Sequence, residues 1–154
     1  MTLNYLSPNK IKVIIGKFPD IQITAQKTNI PGITLNPVKT PVNSSHDAWF
    51  PGDKIEYEDL IVTFIVDTKL AGYKAVRSWM NEITGQDGKR PEYFSDITVE
   101  ILNNHFGINQ TIQYKYCMPY QITGAVMDTS ISEETPITFD CVFKFSDMNI
   151  IDNT

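Results

Sequence analysis

Four stretches of this chain alternate apolar and polar side chains at a period of two. That period dictates strands with one buried face and one wet face. Ser95 to Asn103 alternates through Ile97, Val99 and Ile101, and Thr111 to Met118 through Ile112, Tyr114 and Tyr116. In Pro136 to Phe145, Ile137, Phe139, Cys141, Phe143 and Phe145 share a face opposite Thr138, Asp140, Val142 and Lys144. Asp20 to Lys27 sets Ile21, Ile23 and Ala25 against Gln22, Thr24 and Gln26. Lys10 to Ile15 puts Ile11, Val13 and Ile15 together, with Ile14 breaking the pattern. The short Gly16-Lys17-Phe18-Pro19 link between those two predicts an antiparallel hairpin. Ile55 to Val66 is one strand passing from an edge to a covered position, and Pro119 to Thr129 holds another. One helix is expected from Asp67 to Thr84. Asp67-Thr68 suits its N-cap, Leu70, Tyr73, Val76, Met80 and Ile83 recur at spacings of three and four beside Trp79, and Gly85 suits a left-handed C-cap. Strands, one helix, then strands again predict an α+β chain, mainly β. The expected architecture is an antiparallel β-barrel or sandwich with one flanking α-helix, a single domain over residues 1–154.

The texture changes from Asn29 to Asp53, where Pro31, Gly32, Pro37, Pro41, Pro51 and Gly52 interrupt Asn, Ser and Thr residues. Proline donates no ladder hydrogen bond, so this arm, at about 33–54, is excluded from the middle of a sheet. It exceeds the roughly 12–15 residues of an ordinary connection and carries Trp49 and Phe50 side by side, which suits a binding element. The competing reading is a surface loop whose Trp49 tucks back onto its own core.

Chemistry is sparse. His46 and His105 lie in turn-rich segments without metal-ligand spacing, and Cys117 and Cys141 form neither a zinc pattern nor a disulfide framework. Cys141 falls on an apolar strand face, where a thiol acts as a small hydrophobe. Gly32, Gly52 and Gly72 are isolated and make no phosphate loop. Glu56, Glu58 and Asp59 form one carboxylate cluster and Glu133 with Glu134 another, both read as wet faces rather than cation sites. Tyr114 and Tyr116 have only Lys115 beside them, too little base for nucleic-acid stacking. The net charge of −5 argues against gripping phosphates. No apolar run nears the roughly 18 residues that span a bilayer. MTLNYLSPNK lacks a signal-peptide layout, and a reducing cytosol is the expected place of synthesis. No enzyme activity, metal or cofactor is expected.

Ordered motifs carry a resemblance. Ile30-Pro31-Gly32-Ile33, then Phe50-Pro51-Gly52-Asp53-Lys54, then Leu60 to Asp67, Tyr73 and Arg77-Ser78-Trp79-Met80 come first. Tyr116-Cys117-Met118-Pro119-Tyr120-Gln121-Ile122-Thr123-Gly124 and the strand Ile137 to Phe145 follow. The pattern resembles the tail tube proteins of contractile-tailed bacteriophages, relatives of type VI secretion tube proteins. The resemblance implies a structural virion protein whose hexameric rings stack into a tube, with a lumen conducting DNA without specific binding. It implies tail sheath and baseplate partners, a place in the phage tail after assembly in the host cytoplasm, and no membrane insertion. It also implies that the arm stacks rings through Thr40, Pro41, Val42, Asn43, Ser44, Ser45, His46, Trp49 and Phe50, mobile in the free subunit and ordered in the tube. Glu56, Glu58, Asp96 and Glu100 are candidates to face the lumen, where negative charge repels passing DNA. A baseplate or tube-end ring protein is the alternative within this class, and a soluble β-sandwich binding module the alternative outside it.

Overall fold

The computed structural model describes residues 10–18, 25–85, 94–103, 105, 107–130 and 136–152. The elements are β1 (Ile11–Ile15), β2 (Ala25–Thr28), β3 (Ile33–Leu35), β4 (Val38–Pro41), β5 (Asp47–Phe50), β6 (Ile55–Tyr57) and β7 (Leu60–Ile65). They continue with α1 (Ala71–Ile83), β8 (Ser95–Leu102), β9 (Ile108–Ile122), β10 (Thr138–Lys144) and β11 (Asp147–Asp152). The fold is mainly β with one helix, and the strand pairs among the described residues are antiparallel. The main sheet runs β1-β8-β9-β10-β7-β2, with β11 also on β9. Among the described residues it does not close on itself.

β9 joins the two halves of this sheet. Its first part lies between β8 and β11, and its last residues pair with β10. The changeover falls at Tyr116, which adopts φ 58 in the left-handed region. That conformation is costly for a bulky side chain, and here it resets the alternation. Tyr114 is fully buried, Tyr116 is turned out to solvent, and Cys117 goes in. The expectation that Tyr114 and Tyr116 share a face is therefore corrected. So is the division into two strands, since β9 runs unbroken through Pro119 to Ile122.

Other expectations are corrected for equally local reasons. The hairpin expected across residues 16–19 would pair β1 with residues 20–24, which lie outside the described residues; among the described residues β1 pairs with β8 and β2 with β7. After β1 the chain makes a tight turn, the Phe18 amide donating to the Ile15 carbonyl at 3.0 Å. Residues 20–24 of the second expected strand lie outside the described residues. The strand expected over Ile55 to Val66 splits at Glu58-Asp59, where the Glu58 amide leaves to donate to the Gly32 carbonyl. β11 has no counterpart among the expected strands.

The helix begins four residues later than expected. Leu70 takes φ 54, ψ 37, which stops the helix from extending back to Asp67. The N-cap position is therefore Leu70, which offers no side-chain cap bond, rather than the expected Asp67-Thr68; the Asp67 carboxylate still accepts the Ala71 amide at 2.7 Å. At the far end Gly85 has φ +76, the left-handed C-cap the sequence called for. A Cβ there would meet nothing within 4 Å, so the cost of Gly85→Ala is conformational alone. That substitution should lower the unfolding free energy by about 1 kcal/mol, read by chemical denaturation.

Both halves of the sheet and α1 feed one core. Val13, Ile15, Ile97, Val99, Ile101, Ile112 and Tyr114 come from one half, and Leu60, Val62, Phe64, Phe139, Cys141 and Phe143 from the other. Val76 and Trp79 of α1 complete it, with Trp79 between the rings of Phe18 (6.2 Å) and Phe143 (5.9 Å). Burial pushes the Cys117 thiol and the Tyr114 hydroxyl each up to about 12, and raises Cys141 as well. These acids ionise in the unfolded chain before they do in the fold, so their contribution is lost as pH rises. From about pH 9 upward, stability should fall by about 1.4 kcal/mol per pH unit for each buried thiol. Denaturant unfolding at pH 8 and pH 10.5 checks this, and a flat profile would contradict it.

Candidate assembly interface

The arm is a long two-stranded hairpin in two steps. Its root pairs β3 with β6, matching Ile33 to Tyr57 and Leu35 to Ile55. Its outer part pairs β4 with β5, matching Val38 to Phe50, Lys39 to Trp49 and Thr40 to Ala48. Prolines fit here because both outer strands have an open side: Pro37 separates the steps, Pro41 ends β4, and Pro51 follows β5. The exclusion from a central strand holds, but the segment is strand-forming rather than loop.

Between the steps the two legs nearly touch. The Asn36 amide donates to the Lys54 carbonyl at 3.3 Å. A Cβ on Gly52 would lie 1.7 Å from the Asn36 carbonyl oxygen. Only glycine fits that crossing. At the tip, the Asn43 side-chain oxygen accepts from the Ser45 amide, the Ser45 hydroxyl and the His46 amide, each at 2.9 Å. The Thr40 to His46 segment is thus a built turn, with Ser44 exposed in it.

The arm is unusually apolar for something in water. Ile33, Leu35, Val38, Val42, Phe50 and Ile55 are exposed, and Trp49 is 64% exposed. Trp49 therefore does not tuck back onto the core. It carries only the Lys39 ammonium over its ring at 5.6 Å, and Lys39 pairs with Asp47 at 3.1 Å. An isolated two-stranded hairpin is marginal at best in water, and its exposed apolar side chains make the arm a candidate interaction site.

The four candidate carboxylates separate into two places. Asp96 and Glu100 lie with Thr98 on the face of β8 opposite the buried Ile97, Val99 and Ile101. That face continues through Lys12, register partner of Glu100, and through Thr111 and Gln113 to Asn149. Glu56 and Glu58 are at the arm root instead: Glu56 accepts from the Asn36 side-chain amide at 3.0 Å, and Glu58 lies over Gly32. The expected carboxylate cluster disperses further because Asp59 accepts from the Tyr120 hydroxyl and pairs with Lys144 at 3.4 Å. Glu133 and Glu134 lie outside the described residues.

Among the described residues no three His, Cys, Asp or Glu side chains gather as a metal site. His46 is exposed at the arm tip and His105 in a turn, while Cys117 and Cys141 are buried with their thiols held neutral. No described helix is long and apolar enough to cross a membrane. The sequence reading missed the exposed apolar residues at the arm root, Ile33, Leu35 and Ile55, and those at Val126, Met127, Ile150 and Ile151. Their signal was available only at the root, where Ile33-Thr34-Leu35 and Ile55-Glu56-Tyr57 each alternate.

No protein-family model matches the chain. It is 27% identical over 131 residues to the tail tube protein of Serratia phage KSP90, covering 82% of this chain and 72% of that protein. It is 38% identical over 92 residues to the tail tube terminator protein of Enterobacteria phage T4, covering 53% of this chain and 50% of that protein. Its fold matches the anti-feeding prophage tube-terminating cap at TM-score 0.73, with 14% identity over 99% of this chain and 95% of that one. It also matches a chain of the PVC contractile injection system sheath-tube complex at TM-score 0.70, with 14% identity, covering 96% of this chain and 92% of that one. Hcp1 from Flavobacterium johnsoniae follows at TM-score 0.54, with 10% identity over 97% of this chain and the whole of that one. The likeness to tail tube proteins seen in the ordered motifs is thus shared by curated homologues and solved structures. These relatives and structural neighbours are tube and injection-system proteins, not enzymes.

Proposed function

We propose that this chain is a structural subunit of a contractile phage tail, forming hexameric rings that stack into the inner tube and conduct DNA through their lumen. The observation that carries the reading is the projecting apolar arm on a tube-like fold, a surface that needs a second copy to cover it. Ring closure has a route in the topology. In the half-sheet β1-β8-β9-β11, β1 and β11 are the outer strands among the described residues and run in opposite directions. A neighbour's β1 added to β11 continues the antiparallel order and keeps the polar face on one side. On this reading Asp96 and Glu100 face the lumen, while Glu56 and Glu58 stay with the stacking arm. Tail sheath and baseplate proteins are the outer partners, and the virion tail is the site of action after assembly in the host cytoplasm. The arm's pairing alone is marginal, so its amides exchange quickly in the free subunit and slowly in the tube.

A tube-terminating ring is the second reading, favoured by the likeness to the T4 terminator and the prophage cap. Electron microscopy of the purified chain, with sheared tube ends added as template, separates the readings. Hollow tubes that lengthen support the subunit; rings that cap the ends without lengthening support the terminator. A monomer that neither polymerises nor binds the ends would return the chain to the class of soluble binding modules.

A further inference from the structure

Where β7 leads into α1, the chain forms an open depression of about 600 Å³ with the segment that follows β9. Its apolar wall is Val66, Leu70, Tyr73, Ala125, Met127 and Ile137. Leu70, at the lip, holds the left-handed conformation that keeps α1 from growing over it. Met127 is 84% exposed, an apolar side chain without cover at the rim. Gly124, an exposed residue of the lining, has open space where a Cβ would sit, with nothing within 4 Å.

Stacking identical rings head to tail requires two different surfaces on each chain, one fitting the other. The arm is the projecting one. From Ile33 to Val42 it extends about 30 Å at ~3.3 Å per residue, twice the ~15 Å radius of gyration for a chain of this length. We infer that the depression is the receptor in which the arm of a second copy, in the adjoining ring, seats Trp49, one of the most exposed apolar side chains of the arm. The charges agree. In the depression the charged residue is Asp67, already engaged by the Ala71 amide. On the arm Lys39 and Asp47 neutralise each other. Docking therefore buries mainly apolar surface, with the Asp67 carboxylate keeping its hydrogen bond from the Ala71 amide. A buried aromatic anchor in a preformed pocket is the usual centre of such an interface. The inference rests on reading the arm as the stacking element.

Gly124→Trp fills the depression from a position with free space, and Gly124→Ala is its control. The expected result is at least a tenfold drop in tube elongation for Gly124→Trp, with an unchanged unfolding midpoint, and normal elongation for Gly124→Ala. A second readout holds even where Gly124→Trp folds poorly. Thr40→Cys chains and Met127→Cys chains, mixed and treated with a short bismaleimide, should cross-link to each other in assembled tubes and not before assembly. The native Cys117 and Cys141 are fully buried and stay silent. Elongation of folded Gly124→Trp at the unmodified rate, or assembled tubes without the cross-link, would overturn the inference. So would cross-linking within unassembled chains that carry both cysteines, since the receptor would then hold its own arm. Arm-shortened chains keep the two failures distinguishable. If they elongate, the stacking role of the arm itself falls; if they stall while Gly124→Trp elongates, only the receptor is misassigned.

Discussion

Trp79→Ala should lower the unfolding free energy by about 3–5 kcal/mol, the cost of emptying a fully buried aromatic site. Trp79 is 0% exposed at the junction of α1 with the sheet, its ring against Phe18 and Phe143. The Lys17 ammonium lies 5.8 Å from the ring centroid, so the change also uncovers the Lys17–Glu82 ion pair at the edge of the core. Most domains retain only about 5–15 kcal/mol in total, so soluble protein should be lost before any selective loss of assembly. Denaturant unfolding gives the number, and Trp49→Ala is the comparison. Trp49 is 64% exposed, and its removal should leave the unfolding midpoint nearly unchanged. A folded, stable Trp79→Ala chain that merely fails to assemble would place Trp79 at an interface instead.

Gly52→Ala should have the opposite profile, losing the arm while keeping the core. The added methyl falls 1.7 Å from the Asn36 carbonyl oxygen, a backbone atom that gives way only if the two legs of the arm separate. The β4–β5 pairing should then fray, read as fast amide exchange across Val38–Pro41 and Asp47–Phe50, and elongation should stop. The global unfolding free energy should stay within about 0.5 kcal/mol, because the arm contributes no residue to the buried core. Slow exchange in the arm of Gly52→Ala would show that the crossing tolerates a side chain.

What was legible in the sequence followed the strength of its local signal. β8 and β10 were read to within two residues at their ends because burial of one face imposes alternation on them, which β10 breaks only at Val142, buried on the other face. The C-cap at Gly85 was read because few residues accept that backbone. Alternation fails as a guide where the backbone itself breaks it. At Tyr116 a single left-handed residue swaps inside for outside, and nothing in Tyr-Lys-Tyr-Cys announces it. At Leu70 the same conformation delays the helix although the apolar spacing continues through it. Partner choice was also hidden. β1 finds its register with β8, some eighty residues away, because Val13 and Ile15 complete the face begun by Ile97 and Val99, and no local pattern announces so distant a partner. The arm was visible as an anomaly through its prolines. Its pairing was not, since two short alternating pieces separated by Asn36-Pro37 look like loop.

The central claim is that the arm joins one ring to the next, and shortening it tests this most directly. With Thr40 to His46 replaced by a short Gly-Ser linker, the chain should keep the unfolding transition of the intact protein, because the segment lies outside the core. Electron micrographs taken side by side under template conditions should show lengthening hollow tubes for the intact chain, and only monomers or single rings for the shortened one. Tubes of normal length built from the shortened chain would contradict the account.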